Sequence, residues 1–307
     1  LIVLSWGADR FVFGASVLAK NMGISPMIIG LTIVAMGSSA PEIMVAATAS
    51  FNGNTDTAVG NALGSNITNI ALVLGLTALL KPLSIASSTL KKEMPVLLVV
   101  SLLAVYFLSD FLLLKTEGII LITLFFVVIG GLTWMSFNME KGDPLQPETE
   151  NEIPSGVSTS KAVMWLTIGM ILLPLSAYFM VDSAETIARY FGLSELVIGL
   201  TIIAIGTSLP ELAACIAGVL KNEDDLALGN IIGSNIFNLL AVLAMPGLIA
   251  PGVVDENAAT RDSYVMLGLT LLLIIFSFNL KGSRCINRVE GLCLITCFFS
   301  YQFLLFS

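Results

Sequence analysis

The sequence predicts an all-α polytopic membrane protein with about ten transmembrane helices in two inverted-topology five-helix repeats. Three observations predict it. Of 307 residues, 56% are hydrophobic and only 12% are charged, about half the charged share of a soluble domain. Apolar stretches long enough to cross a hydrocarbon core of about 30 Å can be drawn at about ten places. Finally, one long phrase is written twice, an odd number of crossings apart.

In chain order the spans are expected near 1–19, 24–51, 58–80, 94–113, 117–137, 162–190, 193–220, 226–249, 263–280 and 289–306. The first opens at Leu1 with no initiator Met and no basic n-region, so the start reads as a cut in a longer chain and not as a signal peptide. Its Asp9 and Arg10 read either as a local ion pair near the interface or as marks of an ion path. Between the fifth and sixth spans, Glu140, Asp143, Glu148, Glu150 and Glu152 sit among Pro, Ser and Gly, which makes 138–161 a flexible acidic linker. It lacks the spaced Asp/Asn, the glycine and the terminal Glu of a calcium loop. The chain thus divides into a first repeat, 1–137, the linker, and a second repeat, 162–307. In the sixth span Asp182 matches Phe13 at the repeat offset, so it reads as a packing or gating contact. Cys215, Cys285, Cys293 and Cys297 fall in or beside spans without paired spacing, and no disulfide framework is expected.

Assigning loops alternately to two sides puts Lys20, Lys81, Lys91, Lys92, Lys141, Lys161, Lys221, Lys281, Arg284 and Arg288 together. Only Lys115, Arg189 and Arg261 fall on the other side. The side rich in Lys and Arg should be cytoplasmic, with both termini and Lys115, Arg189 and Arg261 outside. Gly23 to Glu42 (GISPMIIGLTIVAMGSSAPE) recurs as Gly192 to Glu211 (GLSELVIGLTIIAIGTSLPE), with 12 of 20 positions identical at an offset of 169. At the same offset AVGNALGSNITN, from Ala58 to Asn69, recurs as ALGNIIGSNIFN, from Ala227 to Asn238. The repeats therefore run over 23–69 and 192–238. Five crossings separate them, so the second copy enters the membrane from the opposite face, a design found in secondary transporters.

Each phrase is built to break a helix in mid-membrane and leave oxygens around a carboxylate. Pro41 and Pro210 lack an N–H and crowd the carbonyls of Gly37 and Gly206. Ser38 and Ser39, or Thr207 and Ser208, lie between glycine and proline, and Glu42 or Glu211 follows. A charge at the bilayer centre costs at least about 2.5–3.5 kcal/mol, which marks both glutamates as functional. The second phrase adds Asn61, Ser65, Asn66 and Asn69, matched by Asn230, Ser234, Asn235 and Asn238. Ser65 and Asn69 share one helical face, as do Ser234 and Asn238. Asn61 and Asn230 read as supports, and Gly60, Gly64, Gly229 and Gly233 as sites of close helix packing. If the inverted copies face each other, two carboxylates, amides and hydroxyls converge. Oxygen-only ligation suits hard cations such as calcium, which takes about 6–8 oxygens. The chain has no histidine, and Cys215 is the only thiol near the site, which disfavours zinc, copper or iron. Two glutamates can neutralise one divalent or two monovalent ions. The absence of histidine, of a GxSxG elbow and of a paired-Asp motif speaks against an intramembrane hydrolase, and no enzymatic activity is expected.

At these residues the chain resembles the α-repeats of the sodium/calcium exchanger superfamily, in its prokaryotic sodium/calcium antiporter branch. GTSLPE stands at Gly206 to Glu211, GSSAPE at Gly37 to Glu42, and GSNixN at Gly64 to Asn69 and Gly233 to Asn238. The resemblance implies that Glu42 and Glu211 are the essential carboxylates for calcium or sodium, flanked by the hydroxyls of Ser38, Ser39, Thr207 and Ser208. It implies further ligands at Ser65, Asn69, Ser234 and Asn238 and at the backbone carbonyls of Ala35 and Ala204. It also implies a first span that slides along the core bundle. Asn238 stands where archaeal relatives carry aspartate, so this pocket has one titratable group fewer. The expected function is exchange of calcium for sodium by alternating access at a midplane site in a bacterial inner membrane. A proton/calcium antiporter on the same scaffold is the alternative, and a passive cation channel a further one. The expected partners are calcium, sodium and the bilayer, with protons as competitors; neither a cofactor nor a nucleic-acid partner is expected.

Overall fold

The computed structural model describes residues 2–24, 26–85, 89, 91–137, 157–278 and 285–306. The linker reading over 138–156 and the reading of the Asp182 side chain lie outside the described residues. The first half comprises α1 (Ile2–Met22), α2 (26–38), α3 (Ala40–Phe51), α4 (Thr55–Leu80), α5 (Glu93–Leu108) and α6 (Lys115–Phe137). The second comprises α7 (Thr159–Tyr190), α8 (195–207), α9 (Leu209–Leu220), α10 (Asp224–Ile249), α11 (Ala258–Ser277) and α12 (Arg288–Phe306). With α2 and α3 as one bent span, and α8 and α9 as another, this is the expected all-α architecture of about ten crossings.

Among the described residues, seven helices are long and apolar enough to cross a membrane, and the pair α2 and α3 makes an eighth. Helix α5 is apolar but shorter, at 16 residues, and α1 spans 21 residues but carries Asp9, Arg10 and Lys20. The fourth span was expected to reach residue 113. It stops at Leu108 because the chain turns there: Phe111 takes φ 62°, and the Asp110 carboxylate accepts the Leu112 N–H at 3.1 Å.

The turn delivers a short strand, β2 (Leu112–Leu113), which pairs antiparallel with β3 (Gly252–Val253); β1 (Leu83–Ser84) pairs likewise with β4 (Cys285–Ile286). Each ladder joins one repeat to the other, and the two are equivalent. Leu83 opposite Ile286 corresponds to Gly252 opposite Leu113, and Ser84 opposite Cys285 to Val253 opposite Leu112.

The helix crossings obey the same symmetry. Helix α2 packs on α10 and α8 on α4. A Cβ on Gly30 would lie 2.5 Å from the Leu226 carbonyl oxygen, and one on Gly199 would lie 2.7 Å from that of Thr57, its symmetry equivalent. Glycine is required at both positions because backbone meets backbone. Facing glycines complete the contact, with Gly64 against Leu200 and Gly233 against Leu31, the close packing the sequence suggested. Around these crossings the helices widen into π-helical turns at Gly30–Val34, Gly199–Ile203, Thr68–Leu74 and Asn238–Val242. Such turns frequently mark functional sites.

Burial grades from centre to rim. The window over α10 is 100% buried and that over α4 78%, against 17% for α6 and 22% for α7 and α12. One continuous apolar core joins both repeats through α4 and α10. A second core centres on α1 and α7, where Phe11, Val12, Ala15, Ala162, Leu166 and Leu173 pack, and takes in Ile29 and Val34 of α2, Ala214 of α9 and Leu226 of α10. Lys221, just past α9, ties this pair to the rest, with Nζ 2.8 Å from Asp9 Oδ1 and 2.9 Å from the Asp9 carbonyl oxygen. The local Asp9–Arg10 pair is looser at 3.8 Å, and Arg10 lies over the Trp165 ring at 4.9 Å.

Candidate ion-binding site

Helix α2 ends at Ser39 (φ −86°, ψ 5°), and α3 leaves it at 47°. The equivalent break is at Ser208 (φ −81°, ψ 1°), yet 196–220 still runs as one apolar span. The break thus falls two residues before each proline. Pro41 and Pro210 sit in the first turn of α3 and α9, where a missing N–H leaves no bond unmade. The sequence had placed the disruption at Gly37 and Gly206; the structure moves it to the serines. Glu42 and Glu211 consequently occupy first helical turns, where the amide dipoles favour negative charge.

The carbonyls of Ala35 and Ala204 are less open than expected. Each still accepts a backbone N–H, from Ser39 at 2.9 Å and Ser208 at 3.2 Å. Each also lies 3.4 Å from a hydroxyl, of Ser38 and Thr207, whose single proton it shares with an asparagine of the other repeat. Widening to π-helix ends at these alanines, so the helical ladder resumes and commits their oxygens.

Every residue expected in the site is buried: Ser38, Ser39, Glu42, Ser65, Asn69, Thr207, Ser208, Glu211, Ser234, Asn238, Ala35 and Ala204 are each at most 2% exposed. Hydrogen bonds across the repeats form a symmetric frame. Ser38 donates to Asn230 Oδ1 at 3.1 Å, and its equivalent Thr207 donates to Asn61 Oδ1 at 3.4 Å. Ser38 and Ser234 stand 3.5 Å apart, and Thr207 and Ser65 3.4 Å. Asn61 and Asn230 therefore act as the supports the sequence suggested.

Inside that frame the carboxylates differ. Glu211 Oε1 accepts hydrogen bonds from Ser39 and Ser234, each at 3.2 Å. Neither oxygen of Glu42 accepts one. The counterpart of Ser39, Ser208, has an unpartnered Oγ, and the counterpart of Ser234, Ser65, turns to Asn61 Oδ1 at 3.5 Å. Asn61 Nδ2 reaches the Glu42 carbonyl at 3.1 Å, whereas Asn230 Nδ2 meets Cys215 Sγ at 3.7 Å. Cys215 takes the place of Ala46, a difference visible in the sequence, but not as a hydrogen-bond acceptor.

Unsatisfied oxygens collect here. Both oxygens of Glu42, Oε2 of Glu211, Oγ of Ser208 and Oδ1 of Asn66, Asn69 and Asn238 are buried without a hydrogen-bond partner. Most buried polar atoms in native proteins are satisfied, so such a cluster calls for an explanation. A hard cation supplies one: it satisfies several oxygens at once and offsets two buried negative charges. Among the described residues, no three His, Cys, Asp or Glu side chains are grouped to hold a metal, so the donor set is two carboxylates with neutral oxygens. Asn69 and Asn238 hydrogen-bond neither carboxylate. Asn69 instead donates to Asn235 Oδ1 at 3.3 Å, and Asn235 is a residue the sequence reading noticed as a donor but did not place in the site.

Comparison with known proteins assigns this architecture. The profile of the family described as "Sodium/calcium exchanger protein" matches residues 1–134 and 161–307. The chain belongs to the sodium/calcium exchanger family. It is 58% identical over 307 residues to "Putative antiporter CaxA" of Alkalimonas amylolytica, covering 100% of this chain and 96% of that one. It is 46% identical over 279 residues to "Inner membrane protein YrbG" of Escherichia coli strain K12, covering 90% and 85%. A solved structure of the sodium-calcium exchanger NCX_Mj, soaked with sodium and calcium, superposes with a TM-score of 0.80 at 33% identity, covering 98% of this chain and 94% of that chain. This exchanger-family chain is thus an integral membrane protein of a family of transporters, and its activity class is cation/calcium antiport.

Proposed function

We propose that this protein exchanges calcium for sodium across a bacterial inner membrane by alternating access around Glu42 and Glu211. The observation that carries the proposal is the buried set of unsatisfied oxygens about those two carboxylates. Residues 1–137 and 162–307 act as the inverted halves, with the linker and the Lys81 end on the cytoplasmic side. The ligands are the two glutamates, the hydroxyls of Ser38, Ser39, Thr207, Ser208, Ser65 and Ser234, the amides of Asn69 and Asn238, and the Ala35 and Ala204 carbonyls once each releases the hydroxyl 3.4 Å away.

Two carboxylates in a low-dielectric interior resist occlusion unless their charge is offset. One calcium or two sodium ions supply that charge from overlapping oxygens, so each ion excludes the other. Exchange follows, since only a neutralised pocket passes between its two orientations. Glu42 has no hydrogen bond to give up, so it is the carboxylate that can turn to an arriving cation, while Glu211 stays fixed by Ser39 and Ser234.

The test is calcium uptake by liposomes under an imposed sodium gradient, with a Glu211→Gln control. Sodium-dependent uptake that the substitution abolishes, in a protein that still purifies as a folded species, is the expected result. Retained coupled flux in the variant would sink the assignment. Amides at both 69 and 238 leave the pocket with two carboxylates, which favours a second reading with protons as the driving ion. A proton gradient at matched membrane potential decides between them.

A further inference from the structure

On the pseudo-two-fold axis between the repeats, an asparagine faces its own equivalent. Asn66 and Asn235 lie at the repeat offset of 169, and Asn66 Nδ2 donates to the Asn235 carbonyl at 3.3 Å. They sit within α4 and α10 and are 1% and 0% exposed. Three residues further along each helix stand Asn69 and Asn238, the two amides proposed as ligands. Asn235 Oδ1 accepts from Asn69 Nδ2 at 3.3 Å, which leaves Asn69 Oδ1 as the uncommitted atom of that side chain. The symmetry-related bond, Asn238 Nδ2 to Asn66 Oδ1, is not made: both of those atoms, and Asn238 Oδ1, are buried without partners. Asn235 Nδ2 is likewise unpartnered. Reversing the roles of the repeats would satisfy the three atoms Asn66 Oδ1, Asn238 Nδ2 and Asn235 Nδ2.

We propose that Asn66 and Asn235 form a two-position amide switch. In the conformation described, Asn235 clamps Asn69; in the opposite-facing conformation, Asn66 clamps Asn238 and Asn235 Nδ2 donates to the Asn66 carbonyl. An amide whose NH2 is held presents its oxygen to a cation in a fixed orientation. One that is not held must be ordered when the cation arrives, at a cost in rotamer freedom. Each orientation of the pocket thus has one ordered amide ligand, contributed by a different repeat. Asn66 and Asn235 are positioning residues, acting on the cation through their neighbours. The proposal rests on the antiport reading, in which inverted repeats exchange roles between outward-facing and inward-facing states.

The experiment is calcium–calcium self-exchange in right-side-out and everted membrane vesicles, with apparent calcium affinity read at each face for the wild type, Asn235→Ala and Asn66→Ala. Loss of the clamp on a ligand amide is expected to weaken calcium about 5-fold at one face; the bond to the partner carbonyl that each variant also loses in the other conformation orients no ligand, so the effect there should stay below about 2-fold. The two variants should affect opposite faces. A purely structural role would move both faces together, and that result, or no change from either variant, overturns the switch. If an alanine variant does not accumulate, Asn235→Ser and Asn66→Ser are read the same way. Self-exchange requires no sodium, so wild-type activity with face-specific effects but no sodium dependence removes the sodium reading alone. A wild type that carries no calcium at all overturns both.

Discussion

Glu42 and Glu211 occupy equivalent positions, yet only Glu211 has hydroxyls within hydrogen-bond distance, Glu42 having no more than the weaker influence of Thr207. That difference predicts opposite responses to the same substitution. In cation-free buffer, Glu42→Gln removes a buried carboxylate that accepts no hydrogen bond, so thermal stability should rise by about 1–3 kcal/mol. Glu211→Gln keeps an acceptor oxygen for Ser39 and Ser234 but removes the charge that strengthens both bonds, and should gain less or lose. The wild type should be stabilised by about 2.7 kcal/mol when calcium reaches 100 times its Kd, and both variants should lose that response. Thermal unfolding in detergent with and without calcium measures all of this, and an unshifted Glu42→Gln melt in cation-free buffer would count against a strained carboxylate. Ser39→Ala removes a donor to Glu211 and should weaken calcium binding about tenfold by titration calorimetry. The glutamates, hydroxyls and amides were legible because the chain writes them twice. Which twin is held was not, since nearly identical phrases in opposite orientations carry no record of the conformation adopted.

At the scale of elements, the crossings of α2 with α10 and of α8 with α4 rest on missing side chains. Gly30→Ala and Gly199→Ala put a methyl within 2.5 Å and 2.7 Å of a backbone oxygen and should each cost about 1–3 kcal/mol by forcing helices apart. Gly130→Ala and Gly131→Ala in α6 meet nothing within 4 Å and should be neutral or stabilising by up to about 1 kcal/mol. A ranking of melting temperatures that puts all four together would contradict the crossing. The spans themselves were read from the sequence to within a few residues, apart from the end of the fourth and the start of the ninth, which begins at Ala258 and not at 263. The π-helical turns were not, because an apolar run looks the same whether its bonds close on the fourth or fifth residue. Proline pointed to the break but misplaced it, since a first-turn proline suits a helix that has already begun. Two-residue strands leave no alternation to detect.

Across the whole molecule, contacts between repeats outrank those within them at the site, on the axis and in both ladders. Neither half should therefore fold alone. Expressed separately, 1–137 and 162–307 should aggregate or be degraded, whereas co-expression should yield a complex that co-purifies and takes up calcium. Independent folding of either half, seen as a monodisperse species in detergent, would refute this. The sequence announced the two copies and their inversion, but could not say that a single core runs through both while α1 and α7 centre a second one shared with α2, α9 and α10. The paired ladders carry a last consequence. Leu83 with Ile286 and Leu113 with Gly252 are the same contact made twice, which is the signature of an isologous dimer interface. A single five-helix polypeptide that inserted in both directions could make every one of these pairings with an inverted copy of itself. The present chain has the geometry of such an antiparallel homodimer joined into one polypeptide, in which equivalent positions are free to differ, as Ala46 and Cys215 do.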